Sequence, residues 1–371
     1  MSMDSRHRCH HEMEPPIASE GVPIMDSRHT TPTAADLGRA RRLTRIADRD
    51  GVIRAAAIDH PENYQVLFDA DLSRVTFEEV VESKLELVQR MAEHSSAVLL
   101  DPVWSCGQAI ATGDLPGDCG LISGLEDLYY QPTTSPVGFA VDLQLKPGWT
   151  PAKLATLGVD AAKLVVFHRH DVDPAAAETV HATVAQVAAE CHAHGLPLIV
   201  EPLWYPVAAE ALGAPVAAAR RTASVLATAA SFKATGADIM KVEFPVSLAT
   251  EHGRQRADDA VAALAAACAG PWVLLSAGVT FDGFVDQLAV AVPHGCTGFM
   301  AGRAIWGDAV GRLDAATRAA RADLVCERLD RLTEVTASAA SALTPVPRAT
   351  VTEVITSTWH RSDLVSGLPA H

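Results

Sequence analysis

The 371-residue chain has no CxxC pair, no apolar run much longer than a strand, and too little positive charge to offset its carboxylates. Each shortage excludes something. Seven scattered cysteines (Cys9, Cys106, Cys119, Cys191, Cys268, Cys296 and Cys326) are odd in number and sit mostly among apolar or small residues. They read as reduced thiols rather than a disulfide framework. Hydrophobic residues make up 49% of the chain, yet no stretch approaches the roughly 20 apolar residues that a membrane helix requires. The opening residues lack the apolar run of a secretory signal, so the expected location is cytoplasmic. A net charge of −15 argues against a nucleic-acid surface, which relies on dense Lys and Arg. Neither a nucleic acid nor a membrane is therefore an expected partner. An anionic small molecule is still compatible, because it needs only a local cluster of cations.

What is present centres on Ala237-Asp238-Ile239-Met240-Lys241-Val242-Glu243-Phe244-Pro245, a short apolar run bounded by Gly236 and Pro245. It reads as a buried strand with Ile239, Lys241 and Glu243 on one face and Met240, Val242 and Phe244 on the other. An interior ammonium is costly unless paired, and its usual escape is a pKa lowered toward neutrality, where the amine becomes a nucleophile. A structural ion pair with Glu243 or another carboxylate is the plainer reading of one such lysine. A second lysine occurs in Asp160-Ala161-Ala162-Lys163-Leu164-Val165-Val166-Phe167, another strand-like run. Two interior cations facing one cavity are expected to depress a pKa further.

In chain order, residues 1–33 are rich in His, Ser, Pro and Thr and are expected to be a disordered tail. Met3-Asp4-Ser5-Arg6-His7 recurs there as Met25-Asp26-Ser27-Arg28-His29, consistent with a duplicated or alternative start. His7, Cys9, His10 and His11 offer metal-binding side chains without a preorganised geometry, and no active-site role is assigned to them. A helix is expected from Ala34 to Ala47 and a first strand from Val52 to Ile58, ending in Asp59-His60-Pro61-Glu62-Asn63-Tyr64. Thr76 N-caps a long amphipathic helix, and Ala97–Leu100 is a second strand ending in Asp101. After a long connection through Gly113 to Tyr130, a third strand is expected at Pro136–Asp142. The Lys163 run is fourth, Leu196–Glu201 fifth and the Lys241 run sixth, followed by Trp272–Ser276 and Gly298–Ala301, with helix-length segments mostly between them. Eight strands alternating with helices predict an α/β fold, a (β/α)8 TIM barrel over residues 34–335 with an N-terminal helix. Extensions at both ends complete the organisation, the second being a C-terminal tail at 336–371. A doubly wound open sheet is the runner-up, but no GxGxxG follows the first strand.

On a barrel, neighbouring strands four, five and six bring Lys163, Glu201 and Lys241 together. Two lysines and a carboxylate suit iminium chemistry on a ketone: the amine adds to the carbonyl, the cationic imine draws electrons, and the carboxylate moves a proton. A purely structural Lys–Glu–Lys network is the competing reading. Ser276-Ala277-Gly278 and Gly302-Arg303 end strands seven and eight, where barrels commonly bind phosphate through glycine N–H groups and an anion-pairing side chain. Arg303, taken as opening the last helix, would add a bidentate donor. Asp59, Asp101 and Asp142 are candidates for substrate hydroxyls or for caps and turns. His60, His168 and His170, with Asp59, supply an alternative metal-dependent lyase or hydrolase centre. A further alternative is a non-catalytic barrel that binds sugar phosphates without turnover.

Several motifs resemble one family. They are Ser95-Ser96-Ala97-Val98-Leu99-Leu100-Asp101-Pro102, Pro147-Gly148-Trp149, Gly158-Val159-Asp160-Ala161-Ala162-Lys163 and Val200-Glu201-Pro202-Leu203, followed by Asp238 to Pro245, Leu275-Ser276-Ala277-Gly278-Val279 and Ala301-Gly302-Arg303-Ala304-Ile305-Trp306. In this order, from about Leu43 to Ala319, they resemble the class I tagatose 1,6-bisphosphate aldolases, a group that also includes sulfofructose phosphate aldolases. The resemblance implies catalysis with no metal and no cofactor. It implies Lys241 as the Schiff-base lysine, Glu201 as the acid/base, Lys163 as the second active-site lysine, and Ser276, Gly278 and Arg303 around the phosphate of the ketone half. Asp59 matches an aspartate near the substrate hydroxyls. The implied partner is a phosphorylated or sulfonated sugar-like molecule, and a homo-oligomer is expected. One departure stands out: the family's first strand typically ends Asp-Gln-Arg, whereas Asp59 is followed here by His60-Pro61-Glu62. Loss of a fixed cation there leads to the expectation that the aldehyde half is not the usual sugar phosphate.

Overall fold

The computed structural model describes residues 33–59, 61–127, 143–205 and 215–340. Eight parallel strands close into a barrel in sequence order: β1 (Ile53–Ala57), β2 (Ala97–Leu100), β3 (Gly120–Gly124), β4 (Ala161–Phe167), β5 (Leu198–Leu203), β6 (Ile239–Val242), β7 (Trp272–Leu274) and β8 (Gly298–Ala301). The helices are α1 (Ala34–Arg45), α2 (Glu62–Gln65), α3 (Phe77–Glu93), α4 (Gly107–Thr112), α5 (Pro151–Leu157) and α6 (Pro174–Ala193). The second half adds α7 (Pro215–Phe232), α8 (Glu251–Gln255), α9 (Ala257–Cys268), α10 (Phe281–Ala291), α11 (Arg303–Trp306) and α12 (Ala315–Val335). The molecule is a (β/α)8 barrel with an N-terminal helix. No helix among the described residues is long and apolar enough to cross a membrane.

Local sequence explains the helix starts. Thr76 accepts from the Glu79 N–H while the Glu79 side chain accepts from the Thr76 N–H, a capping box that opens α3. Thr33 and Asp36 repeat the device for α1, and Asp173 with Pro174 in the first turn starts α6. Apolar side chains then divide between two layers. Outward residues such as Val98, Leu164, Val200, Met240 and Leu274 pack under the helices. Inward residues Ala55, Ala97, Leu99, Ile122, Ala161, Ile199, Ile239, Val273 and Met300 fill the barrel, each large one contributing about 1.5–3 kcal/mol on full burial. The α1 segment closes the bottom: Leu43, Ile46 and Ala47 join the inner layer, and Arg45 Nε donates to Asp160 Oδ1 at 2.9 Å. Closure of β8 on β1 requires glycine at 298, where φ is +132° and a Cβ would collide with the Ile53 carbonyl.

Two expectations are corrected. The third barrel strand is Gly120–Gly124, which pairs with both β2 and β4. Pro136–Asp142 lies outside the described residues. Arg303 opens the four-residue α11, and the last long helix starts only at Ala315. His60, the repeated Met-Asp-Ser-Arg-His segments and the stretches 1–32 and 341–371 also lie outside the described residues.

Candidate active site

Side-chain alternation decides which residues reach the barrel interior. Lys163, Glu201 and Lys241 follow Ala161, Ile199 and Ile239 by two residues, and those three belong to the inner apolar layer. Pairing of Ile199 with Ile239 sets Glu201 level with Lys241, one step nearer the C-terminal rim. Asp59 continues the inward phase of Ala55 and Ala57 past the end of β1, and Glu126 continues that of Ile122 past β3.

The charged groups meet around one carboxylate. Lys241 Nζ donates to Glu201 Oε2 at 2.8 Å, and Lys163 Nζ stands 3.1 Å from the same oxygen. Lys163 also donates to Asp59 Oδ2 at 2.7 Å and to Glu126 Oε1 at 2.9 Å. All five side chains are buried. Burial works against the Lys163 charge, but Asp59, Glu126 and Glu201 outweigh it and raise its pKa well above the ordinary lysine value. This corrects the expectation of depression by a neighbouring cation: the three acids favour the ammonium form of Lys163. Burial favours protonated Glu201, yet Lys163 and Lys241 hold its pKa below the ordinary carboxylate value. An ionised carboxylate thus lies between two lysines, one saturated by three acids and the other touching one.

A cavity of about 220 Å³ opens at this rim. It is bordered by Glu201, Lys241, Ser276, Gly278, Gly302 and Arg303 among the sequence candidates. Lys163 and Asp59 do not line it and connect to it through Glu201. At the β7 end the backbone turns left-handed, with φ of +44° at Ala277 and +77° at Gly278. A positive φ at alanine is uncommon and marks local strain beside the cavity. The Val279 N–H closes the turn on the Ser276 carbonyl at 3.0 Å. Across from it Trp306 Nε1 donates to the Ala57 carbonyl at 2.7 Å, tying α11 to β1 and thereby setting Arg303. The Arg303 guanidinium has no ion-pair or hydrogen-bond partner among the described residues. An exposed guanidinium beside a glycine turn is an arrangement suited to an anion.

Other candidates fall elsewhere. Asp101 is a cap: its carboxylate accepts from the Val103 and Trp104 N–H groups at 2.8 and 3.0 Å and pairs with Lys146 at 3.2 Å. His168 takes the outward phase of Leu164 and Val166, so it leaves the barrel interior altogether. It stacks on His181, with ring centroids 4.8 Å apart, and contacts Thr228 Oγ1 at 3.2 Å. With His170 it borders a separate groove between α6 and α7. Burial depresses the His168 pKa to about 4. The metal alternative therefore loses the meeting of His168 and His170 with Asp59 on which it depended. Asp142 and His60 lie outside the described residues.

Sequence reasoning missed Glu126, because the third strand was placed too late in the chain; a carboxylate two residues beyond Gly124 was the available signal. It also missed the cavity-lining Asn63 and Trp204. Glu243, whose face of β6 was anticipated, lines the cavity with its carboxylate fixed by the Trp204 N–H and by Arg221, each at 3.0 Å.

Residues 54–308 match the model of the family described as DeoC/LacD family aldolase. Among curated proteins, the tagatose 1,6-diphosphate aldolase of Listeria monocytogenes serotype 4b is 26% identical over 294 residues, covering 74% of this chain and 82% of the relative. Tagatose 1,6-diphosphate aldolase 2 of Enterococcus faecalis is 27% identical over 327 residues, covering 82% of this chain and 95% of the relative. A crystal structure of a Corynebacterium glutamicum protein superposes with a TM-score of 0.53 at 18% identity, over 80% of this chain and 93% of that one, a likeness of fold. The chain belongs to the DeoC/LacD family of aldolases and is a class I aldolase, a carbon–carbon lyase.

Proposed function

We propose that this aldolase cleaves or forms a C–C bond in a phosphorylated or sulfonated ketose-like substrate through a Schiff base on Lys241. The products of cleavage are dihydroxyacetone phosphate, or a related ketone, and an aldehyde. The observation that carries the reading is the 2.8 Å contact of Lys241 Nζ with a buried Glu201 carboxylate, on the wall of a cavity whose other end holds Ser276, Gly278, Gly302 and Arg303. The tagatose 1,6-diphosphate aldolase relatives support the substrate class.

In the cleavage direction Lys241 yields a proton to Glu201, and its lone pair adds to the ketone carbon. Loss of water then leaves a protonated imine. Glu201, once more a carboxylate, takes the proton from the hydroxyl on the far carbon of the breaking bond. That carbon becomes an aldehyde while the bonding pair moves into the iminium and forms an enamine. Protonation of the enamine carbon and hydrolysis release the ketone and restore Lys241. Lys163, held by Asp59 and Glu126, keeps Glu201 ionised between proton transfers, and Ser276, Gly278, Gly302 and Arg303 hold the phosphate. Asp59, which does not line the cavity, acts on the site through its bond to Lys163. The reading extends to a cytoplasmic homo-oligomer, and five buried free cysteines suit a reducing compartment.

The test is cleavage of ketose phosphates, followed by reduction of released dihydroxyacetone phosphate, with and without a chelator. Turnover unaffected by the chelator and absent in Lys241→Met is expected. Turnover abolished by the chelator and restored by a divalent metal would overturn the reading.

A further inference from the structure

Lys84 is a fully buried lysine that the aldolase chemistry above leaves unused. It stands in the apolar stripe of α3, one turn from Val80 and from Leu87, among the side chains that face the barrel. An apolar side chain of similar volume serves a fold at least as well as a buried charge, so packing alone does not call for an ammonium there. Its Nζ donates to the Ile58 carbonyl at 2.7 Å and lies 5.0 Å from the centre of the Tyr64 ring. The Ile58 N–H is anchored in turn on the Leu99 carbonyl at 2.9 Å. The next residue is Asp59, whose carboxylate holds Lys163 at 2.7 Å, and Lys163 reaches Glu201 at 3.1 Å. Lys84 therefore grips the backbone one residue before the acid that starts this line of contacts.

Its charge acts at the same place. Among the described residues, the charged groups around it are Asp101 at the end of β2, Asp59 at the end of β1, and Lys146, which precedes α5. Lys146 is paired with Asp101 at 3.2 Å. Tyr64, on α2, stays a neutral phenol because burial raises its pKa. Without the Lys84 charge, Asp59 draws the Lys163 ammonium more strongly, at the expense of Glu201.

We propose that Lys84 is a positioning residue for proton transfer at Glu201: it fixes the end of β1 and offsets the Asp59 charge, which keeps the Lys163 ammonium shared with Glu201. This rests on the Schiff-base reading, in which Glu201 moves the proton. The two contributions separate with pH. Burial pushes the Lys84 pKa down to about 8, with Asp101 and Asp59 opposing the shift and Lys146 adding to it. Below that value Lys84 supplies both the bond and the charge. Above it the neutral amine keeps an N–H for the Ile58 carbonyl and no longer offsets Asp59.

The test is solvent deuterium exchange into dihydroxyacetone phosphate, catalysed by the full-length chain. Exchange needs only the imine on Lys241 and a carboxylate beside it. Glu201 takes a proton from the adjacent carbon, the C–H pair moves into the iminium as an enamine, and a deuteron from solvent returns to that carbon. At saturating dihydroxyacetone phosphate the parent rate is expected to fall as pH rises from about 7 to about 9.5, with a midpoint near 8. Lys84→Met is expected to lose that fall and to exchange about tenfold more slowly than the parent at pH 7, with half-saturation within about threefold of the parent's. A fall retained in Lys84→Met, a variant as fast as the parent at pH 7, or a parent rate flat across this window would each overturn the proposal. The parent profile and Lys84→Gln carry the same test if Lys84→Met does not fold. Borohydride trapping in the same samples separates the two readings: an adduct with a flat parent profile overturns this proposal alone, whereas neither adduct nor exchange in the parent overturns the Schiff base and this proposal with it.

Discussion

Glu201 and Lys241 face each other from adjacent strands, carboxylate Oε2 to ammonium Nζ at 2.8 Å, at the level where the apolar filling of the barrel ends. Lys163 reaches that same oxygen at 3.1 Å. Replacement of the carboxylate by an amide removes the proton acceptor with little change in shape. Glu201→Gln is therefore expected to lower kcat by about 10²–10⁴-fold. Steady-state kinetics at saturating substrate checks this, and a kcat within a factor of about two of the parent would exclude Glu201 as the base.

Lys163→Met leaves Asp59, Glu126 and Glu201 buried around an uncharged side chain. Removing one partner from a buried ionic cluster destabilises by about 3–5 kcal/mol. The pH dependence follows from the raised Lys163 pKa: its stabilisation is fully present below the ordinary value of 10.5 and is lost only as pH rises through the higher folded value. In denaturant titrations the gap between parent and variant should stay flat from neutrality to about pH 10.5 and narrow above it.

Lys84 has the opposite sign. It is fully buried on α3 and donates to the Ile58 carbonyl at 2.7 Å, and burial pushes its pKa down to about 8. Between about 8 and 10.5 the unfolded chain binds a proton that the folded chain does not, so stability contributed by this group rises with pH in that window. Melting curves of the parent and Lys84→Met should show the parent gaining on the variant from pH 8 to 10.5. A difference independent of pH would contradict the assignment.

Arg303→Ala removes the unpartnered guanidinium beside Gly278. Charge-assisted hydrogen bonds are worth about 1.5–3 kcal/mol, so KM for a phosphorylated ketone should rise by about 10–100-fold with a smaller change in kcat. An unphosphorylated ketone should be affected far less by the same change, which a parallel assay with dihydroxyacetone measures.

The barrel was legible because strands such as Ala161–Phe167 and Ile239–Val242 are apolar and β-branched and carry a lysine in the inward phase. Gly120–Gly124 was not, since two glycines and a serine in five residues weaken a strand signal, whereas Pro136–Asp142 offers Val and Phe. Misplacing β3 hid Glu126. The sign of the Lys163 shift was also out of reach, because its acids come from β1, β3 and β5, whose convergence is a property of the closed sheet. For His168 the decisive fact was simple alternation: it lies an odd number of residues from Lys163 and faces outward.

The central claim is that Lys241 carries the substrate as an imine. Borohydride reduction in the presence of dihydroxyacetone phosphate and a chelator, followed by peptide mass mapping, tests it directly. A reduced adduct on the peptide containing Lys241, and none in Lys241→Met, is the predicted result. An adduct on Lys163 instead, or no adduct in an enzyme that turns over, would contradict it.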